Sequence, residues 1–74
     1  MQEKPTIGQI SSFQRIINDD YAKHLDLSDS GEIYKKLSNM TYPQYKYLLS
    51  LNFRKQHIKA MEILQQLGIE RITV

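Results

Sequence analysis

Residues 41–68 read TYPQYKYLLSLNFRKQHIKAMEILQQLG, and the phase of their apolar side chains decides which fold the chain can adopt. Thr41 with Gln44 three residues on has the spacing of a capping box, in which the hydroxyl accepts from an early helical N–H while the glutamine reaches back to the cap. Pro43 suits a first turn, where no N–H partner is needed. Beyond it the residues are helix-forming, yet no single buried stripe runs the whole length. At about 100° per residue, Phe53, His57, Ala60, Leu64 and Leu67 share one side, with Met61 at its edge. Continued backward, that stripe meets Lys46 and leaves Leu48 and Leu51 on the far side. Two helices with a change of direction near residues 50–52 reconcile the phases. Asn52 then caps the second helix, and Gly68 ends it in a left-handed conformation.

Working outward, Thr6 and Gln9 repeat the capping-box spacing. Ile10, Phe13, Ile17 and Tyr21 follow at steps of three and four, with Ile16 and Leu25 alongside, which predicts a helix over residues 7–25. Residues 26–31 are turn chemistry, Asp-Leu-Ser-Asp-Ser-Gly. Asp29 or Ser28 is placed to cap a short helix that carries Glu32 in its first turn, buries Ile33 and Leu37, shows Lys35 and Lys36 outward and ends near Asn39. The tail, residues 69–74, alternates and is β-prone. A lone strand is unstable, so it is expected to be loosely ordered or to pair with something outside the helices. The expectation is an all-α fold: a small three- to four-helix bundle in one domain over residues 1–74, with a flexible stretch at 1–5 and an extended tail at 69–74.

A chain of 74 residues has a thin core, and with no Cys it has neither disulfides nor thiolate metal sites to reinforce it. Dense helix packing or self-association, a homodimer for instance, is then the remaining support. No apolar run approaches a membrane span, and Met-Gln-Glu-Lys-Pro is no signal peptide, so a cytoplasmic protein without a membrane role is expected. Nothing suggests catalysis. Asp19 and Asp20 point about 100° apart on a helix and share no proton. His24 and His57 stand alone, without the partners of a metal set, and His57 reads as a half-buried packing residue with one bonded nitrogen. The chain is expected to be a non-enzyme, with no cofactor and no metal.

Charge is the informative feature. Residues 1–32 carry Lys4, Arg15 and Lys23 against six carboxylates. Residues 33–61 carry Lys35, Lys36, Lys46, Arg54, Lys55 and Lys59 and no carboxylate. Such a segment either forms a solvated face balanced by the acidic half or concentrates a field for a polyanion. Five aromatics are interleaved with these cations: Tyr34, Tyr42, Tyr45, Tyr47 and Phe53. Lys and Arg neutralise phosphates, and exposed tyrosine bonds phosphate or stacks on a base. Most of these rings read as edges of the core. Tyr47, beside Lys46 and away from Tyr45 and Leu49, is the aromatic expected at the surface. Arg54 and Lys55, in the first turn of a helix starting at Asn52, would add their charge to free N–H groups around one phosphate.

The stretch from Ala22 to Leu37, AKHLDLSDSGEIYKKL, resembles a helix-turn-helix motif in texture: a small residue, an apolar pair through a turn, then a Ser/Asp-started helix bearing Tyr and Lys. It departs from that motif at Asp26, where the turn carries glycine, and at Glu32, where an aliphatic side chain is buried; Ile33 stands one place late. The resemblance implies DNA binding and transcription regulation. The expected function is therefore a small basic nucleic-acid-binding protein, contacting DNA through Lys35, Lys36, Lys46, Tyr47, Arg54, Lys55 and Lys59. The alternative is a non-enzymatic regulator that meets another protein, with an acidic surface, through an apolar helix face or the C-terminal tail.

Overall fold

The structure is a computed structural model that describes residues 3–72. It is a small all-helical bundle of four helices: α1 (Ile7–Tyr21), α2 (Ser30–Leu37), α3 (Tyr42–Phe53) and α4 (His57–Gln66). Both capping boxes form. Thr6 Oγ1 accepts from Gln9 N at 3.2 Å while Thr6 N donates to Gln9 Oε1 at 2.8 Å. Thr41 and Gln44 repeat the arrangement at 3.4 and 3.0 Å. Of the two residues able to cap α2, Asp29 does so, its Oδ1 accepting from Glu32 N at 3.1 Å. Glu32 in the first turn and Lys35 and Lys36 in the last match the polarity of the helix dipole.

One apolar cluster joins the two hairpins, α1 with α2 and α3 with α4. Ile10, Phe13, Ile17 and Tyr21 enter it from α1, Ile33 and Leu37 from α2, Tyr45, Leu48 and Leu51 from α3, and Ala60 and Leu64 from α4. Leu25, Met40 and Ile69 close it from the connections. Phe13 meets Tyr45 edge to face, ring centroids 5.8 Å apart, which ties the first hairpin to the second.

Three segments differ from the sequence-based expectation. The first helix stops at Tyr21, although Leu25 keeps the apolar phase and is fully buried. Leu25 lies in an antiparallel bridge with Arg71: Asp26 N donates to Glu70 O at 2.8 Å, and Ile72 N donates to His24 O at 3.0 Å. The tail therefore finds its partner edge inside the chain, in the turn after α1, and Ile69 is buried in the core. Residues 73 and 74 of the expected tail lie outside the described residues, as do 1 and 2 of the N-terminal stretch. Of that stretch, Pro5 is buried and the Glu3 carbonyl accepts from Tyr42 N at 2.7 Å.

The second difference concerns the helix-turn-helix texture. Residues 22–29 separate α1 from α2, and Ala22 caps α1 rather than packing inside it. A helix-turn-helix turn is much tighter, usually three or four residues. The stretch from Ala22 to Leu37 is thus no such motif.

The third lies in the stretch that decides the fold. Residues 42–67 do form two helices, but the break falls at residues 54–56 and not near 50–52. Leu51 is buried within α3, which runs on to Phe53. Gln56 N donates to Leu51 O at 2.8 Å and Lys55 N to Asn52 O at 3.1 Å. With Lys55 at φ 59°, this is a Schellman stop built on a residue other than glycine. The end of α4 has the same form on glycine: Ile69 N to Leu64 O at 3.2 Å, Gly68 N to Gln65 O at 3.0 Å, and φ 105° at Gly68. Asn52 caps nothing; α4 has Gln56 as its N-cap, without a side-chain bond.

Candidate functional site

The outer side of α3 follows from its core side. With Tyr45, Leu48 and Leu51 buried, positions 43, 46, 47, 50, 53 and 54 recur at three- and four-residue steps on the opposite side. Lys46, Tyr47, Phe53 and Arg54 are all exposed there. Tyr47 is 53% exposed, as its position beside Lys46 suggested, and Phe53 is 88% exposed. The Lys46 ammonium stands 5.8 Å from the centroid of the Tyr42 ring, a cation–π distance that orients it along this side. Lys55 follows in the turn, and the first turn of α4 adds exposed Ile58 and Lys59.

The α3–α4 corner is held by a small polar cluster against the end of α1. The Tyr21 hydroxyl donates to Asn52 Oδ1 at 3.1 Å and lies 2.9 Å from His57 Nδ1. A phenol has one proton, so with it on Asn52 the imidazole donates through Nδ1. The Tyr21 and His57 rings also meet edge to face at 5.3 Å. His57 is half-buried with one bonded nitrogen and fixes the corner's position. Burial, and after it the charge of Asp20, push the Tyr21 phenol above its ordinary pKa, which keeps the donor proton in place.

The expected site residues divide into two sets. Lys46, Tyr47, Arg54, Lys55 and Lys59 belong to α3, its turn and the start of α4. Lys35 is exposed in the last turn of α2. Lys36 turns elsewhere: its stem runs along Gly68, where an added Cβ would lie 3.6 Å from Cδ and Cε. It lines a surface pocket together with Asp26, Asp29, Glu32 and Glu70. The two Ser28 hydrogen bonds, and to a lesser degree the Lys36 charge, hold Asp26 below its ordinary pKa. Lys36 thus faces carboxylates of its own chain.

Arg54 and Lys55 are not in the first turn of the last helix. Arg54 is the C-cap of α3, its N–H donating to Ser50 O at 3.0 Å, and cations there meet the negative end of the α3 dipole. The expected convergence of these cations with free N–H groups on one phosphate is not formed. Phe53 and Ile58 were not among the expected site residues. A break near residues 50–52 puts Phe53 on the buried stripe of the last helix; with the break at 54–56 it belongs to α3. Measured from Leu51 within one continuous α3, it falls on the outer side.

Among the described residues no cluster of three or more His, Asp or Glu is placed to hold a metal ion, and no helix is long and apolar enough to cross a membrane. Comparison with protein families, curated proteins and solved structures returns no match to this chain.

Proposed function

We propose that the chain is a small basic protein that binds nucleic acid, with DNA as the first ligand to test. Lys46, Arg54, Lys55 and Lys59 serve as phosphate contacts, and Lys35 contributes to the field from α2. One observation carries this reading: α3, the turn that ends it and the first turn of α4 carry these four exposed cations, with exposed Tyr47 and Phe53 on α3 and Glu62 the one carboxylate in either helix. Phosphate neutralisation releases counterions, so affinity tracks salt. The rival reading, an acidic protein partner, rests on exposed Phe53 and Ile58, two apolar anchors beside the same cations.

The test is a titration of labelled DNA at two ionic strengths. Four phosphate contacts would lose roughly 100-fold in affinity between about 50 and 200 mM salt. Replacing Arg54 and Lys55 by glutamine is expected to flatten the salt dependence by about one contact each. Absent binding at low salt, or binding indifferent to salt, removes the nucleic-acid reading and leaves the protein partner.

A further inference from the structure

The exposed arc of α3 carries two rings and two cations. Tyr47 follows Lys46 and Arg54 follows Phe53 in the chain, successive side chains lying about 100° apart within that arc. Tyr47 and Phe53 are six positions apart, about 9 Å along the axis and about 120° around it, so they stand at opposite edges of the exposed arc. That separation is too wide to sandwich one base and suits two separate bases of a strand that crosses the arc obliquely. Phe53, 88% exposed, contributes nothing to the core. It also has no polar atom with which to read a base edge.

Building on the nucleic-acid reading above, we propose that this side takes single-stranded nucleic acid, with Phe53 and Tyr47 each stacking on an unpaired base and Lys46, Arg54 and Lys55 following the backbone. In a duplex the base faces are covered by their neighbours, and an aromatic ring reaches them only by unstacking the helix. A duplex groove is read through base edges, by forked donors and acceptors such as Asn, Gln or Arg. The outer positions of α3 offer Pro43, Lys46, Tyr47, Ser50, Phe53 and Arg54, in which arginine is the one forked group. Exposed planar rings set among cations are instead the composition of a stacking platform, which accepts any base because every base has a π-face. An anionic membrane would also accept cations beside apolar groups, but the outer arc of α3 is not the continuous apolar face that a helix lying in a membrane interface buries.

The experiment compares a labelled single-stranded oligonucleotide with a duplex of the same length at low salt, using the full chain and its Phe53→Ala, Phe53→Leu and Phe53→Trp variants. The exposed position keeps all four folded, which circular dichroism verifies. The single strand is expected to bind more tightly than the duplex. Phe53→Ala should weaken single-strand binding roughly 5- to 150-fold, the range for losing one base–aromatic stack, while leaving duplex binding within about 2-fold. Phe53→Leu should match the alanine variant and not the parent, because a branched chain supplies apolar area without a plane. The chain has no Trp, so Phe53→Trp gives a single reporter that should bind as tightly as the parent and lose emission when a base stacks on it. Equal affinity for both forms, or a silent Phe53→Ala, overturns the stacking role while salt-sensitive binding still stands. If neither form binds, the nucleic-acid reading fails with it; binding only to vesicles of phosphatidylserine and phosphatidylcholine reassigns the surface to a membrane.

Discussion

Lys55 holds a backbone conformation that L-residues other than glycine seldom adopt, φ 59°, in order to stop α3. A left-handed conformation costs roughly 1–2 kcal/mol for a side-chain-bearing residue, and the extra freedom of glycine in the unfolded chain returns about 0.4–1 kcal/mol of that. Lys55→Gly is therefore expected to stabilise the fold by about 0.5–1 kcal/mol, read as a higher urea midpoint at unchanged slope. If Lys55 contacts phosphate, the same substitution lowers affinity, so stability and binding move in opposite directions. A lower midpoint would show that the lysine side chain contributes more to the fold than its backbone strain costs. Tyr21 offers a second residue-scale test. Tyr21→Phe removes the bonds to Asn52 and His57 without opening a cavity and should cost about 1–2 kcal/mol. Its phenol is raised by burial and then by Asp20, and Tyr45 is raised by burial and then by Tyr42. The unfolded chain ionises these groups first, near pH 10. Their contribution to stability is complete below that pH and is lost as pH climbs through the folded-state values. The melting temperature should fall above about pH 10, less steeply in Tyr21→Phe; identical alkaline slopes would assign the loss to other groups.

At the scale of elements, what could be read in advance follows from where the chemistry is local. Thr6 with Gln9, Thr41 with Gln44, and a Ser28 or Asp29 cap ahead of Glu32 act within one turn, so local sequence predicts three helix starts, and all three form, the second on Asp29. Gly68 marks the end of α4 for the same reason. The α3–α4 junction carries no such mark, because its left-handed residue is a lysine. Leu25 keeps helical phase yet lies in a bridge, since its partner Arg71 is far along the chain and no local pattern encodes that pairing. The first of these differences reaches the candidate site. A break near residues 50–52 would turn Phe53 inward and set Arg54 and Lys55 at a helix start, whereas the position of Tyr47 depends on α3 alone and is exposed as expected. The tail makes its own prediction. Deleting residues 69–74 removes buried Ile69 and both bridge hydrogen bonds, and should cost at least about 2 kcal/mol in a urea melt. Unchanged stability with a reduced mass by light scattering would return the tail to a role in association.

For the molecule as a whole, all four helices draw on one core cluster, and contacts such as Phe13–Tyr45 and Tyr21–His57 cross between the hairpins. Neither hairpin has a second core of its own among the described residues, so unfolding one exposes the buried side of the other. The chain should therefore melt in a single transition, with calorimetric and van't Hoff enthalpies in agreement. Binding at the α3–α4 corner, as proposed, would then stabilise α1 and α2 as well, although they need not touch the ligand. An oligonucleotide at about 100 times its dissociation constant adds about 2.7 kcal/mol, and for a domain of this size each kcal/mol raises the midpoint by about 4–8 °C. A shift of roughly 10–20 °C in one undivided transition is the expected result at low salt. It should shrink as salt rises and largely vanish in the Arg54→Gln, Lys55→Gln double variant. Two separating transitions, one moving with ligand and one fixed, would mean that the hairpins fold independently. The corner would then be a detachable element, and the charge separation along the sequence would describe two units in place of one.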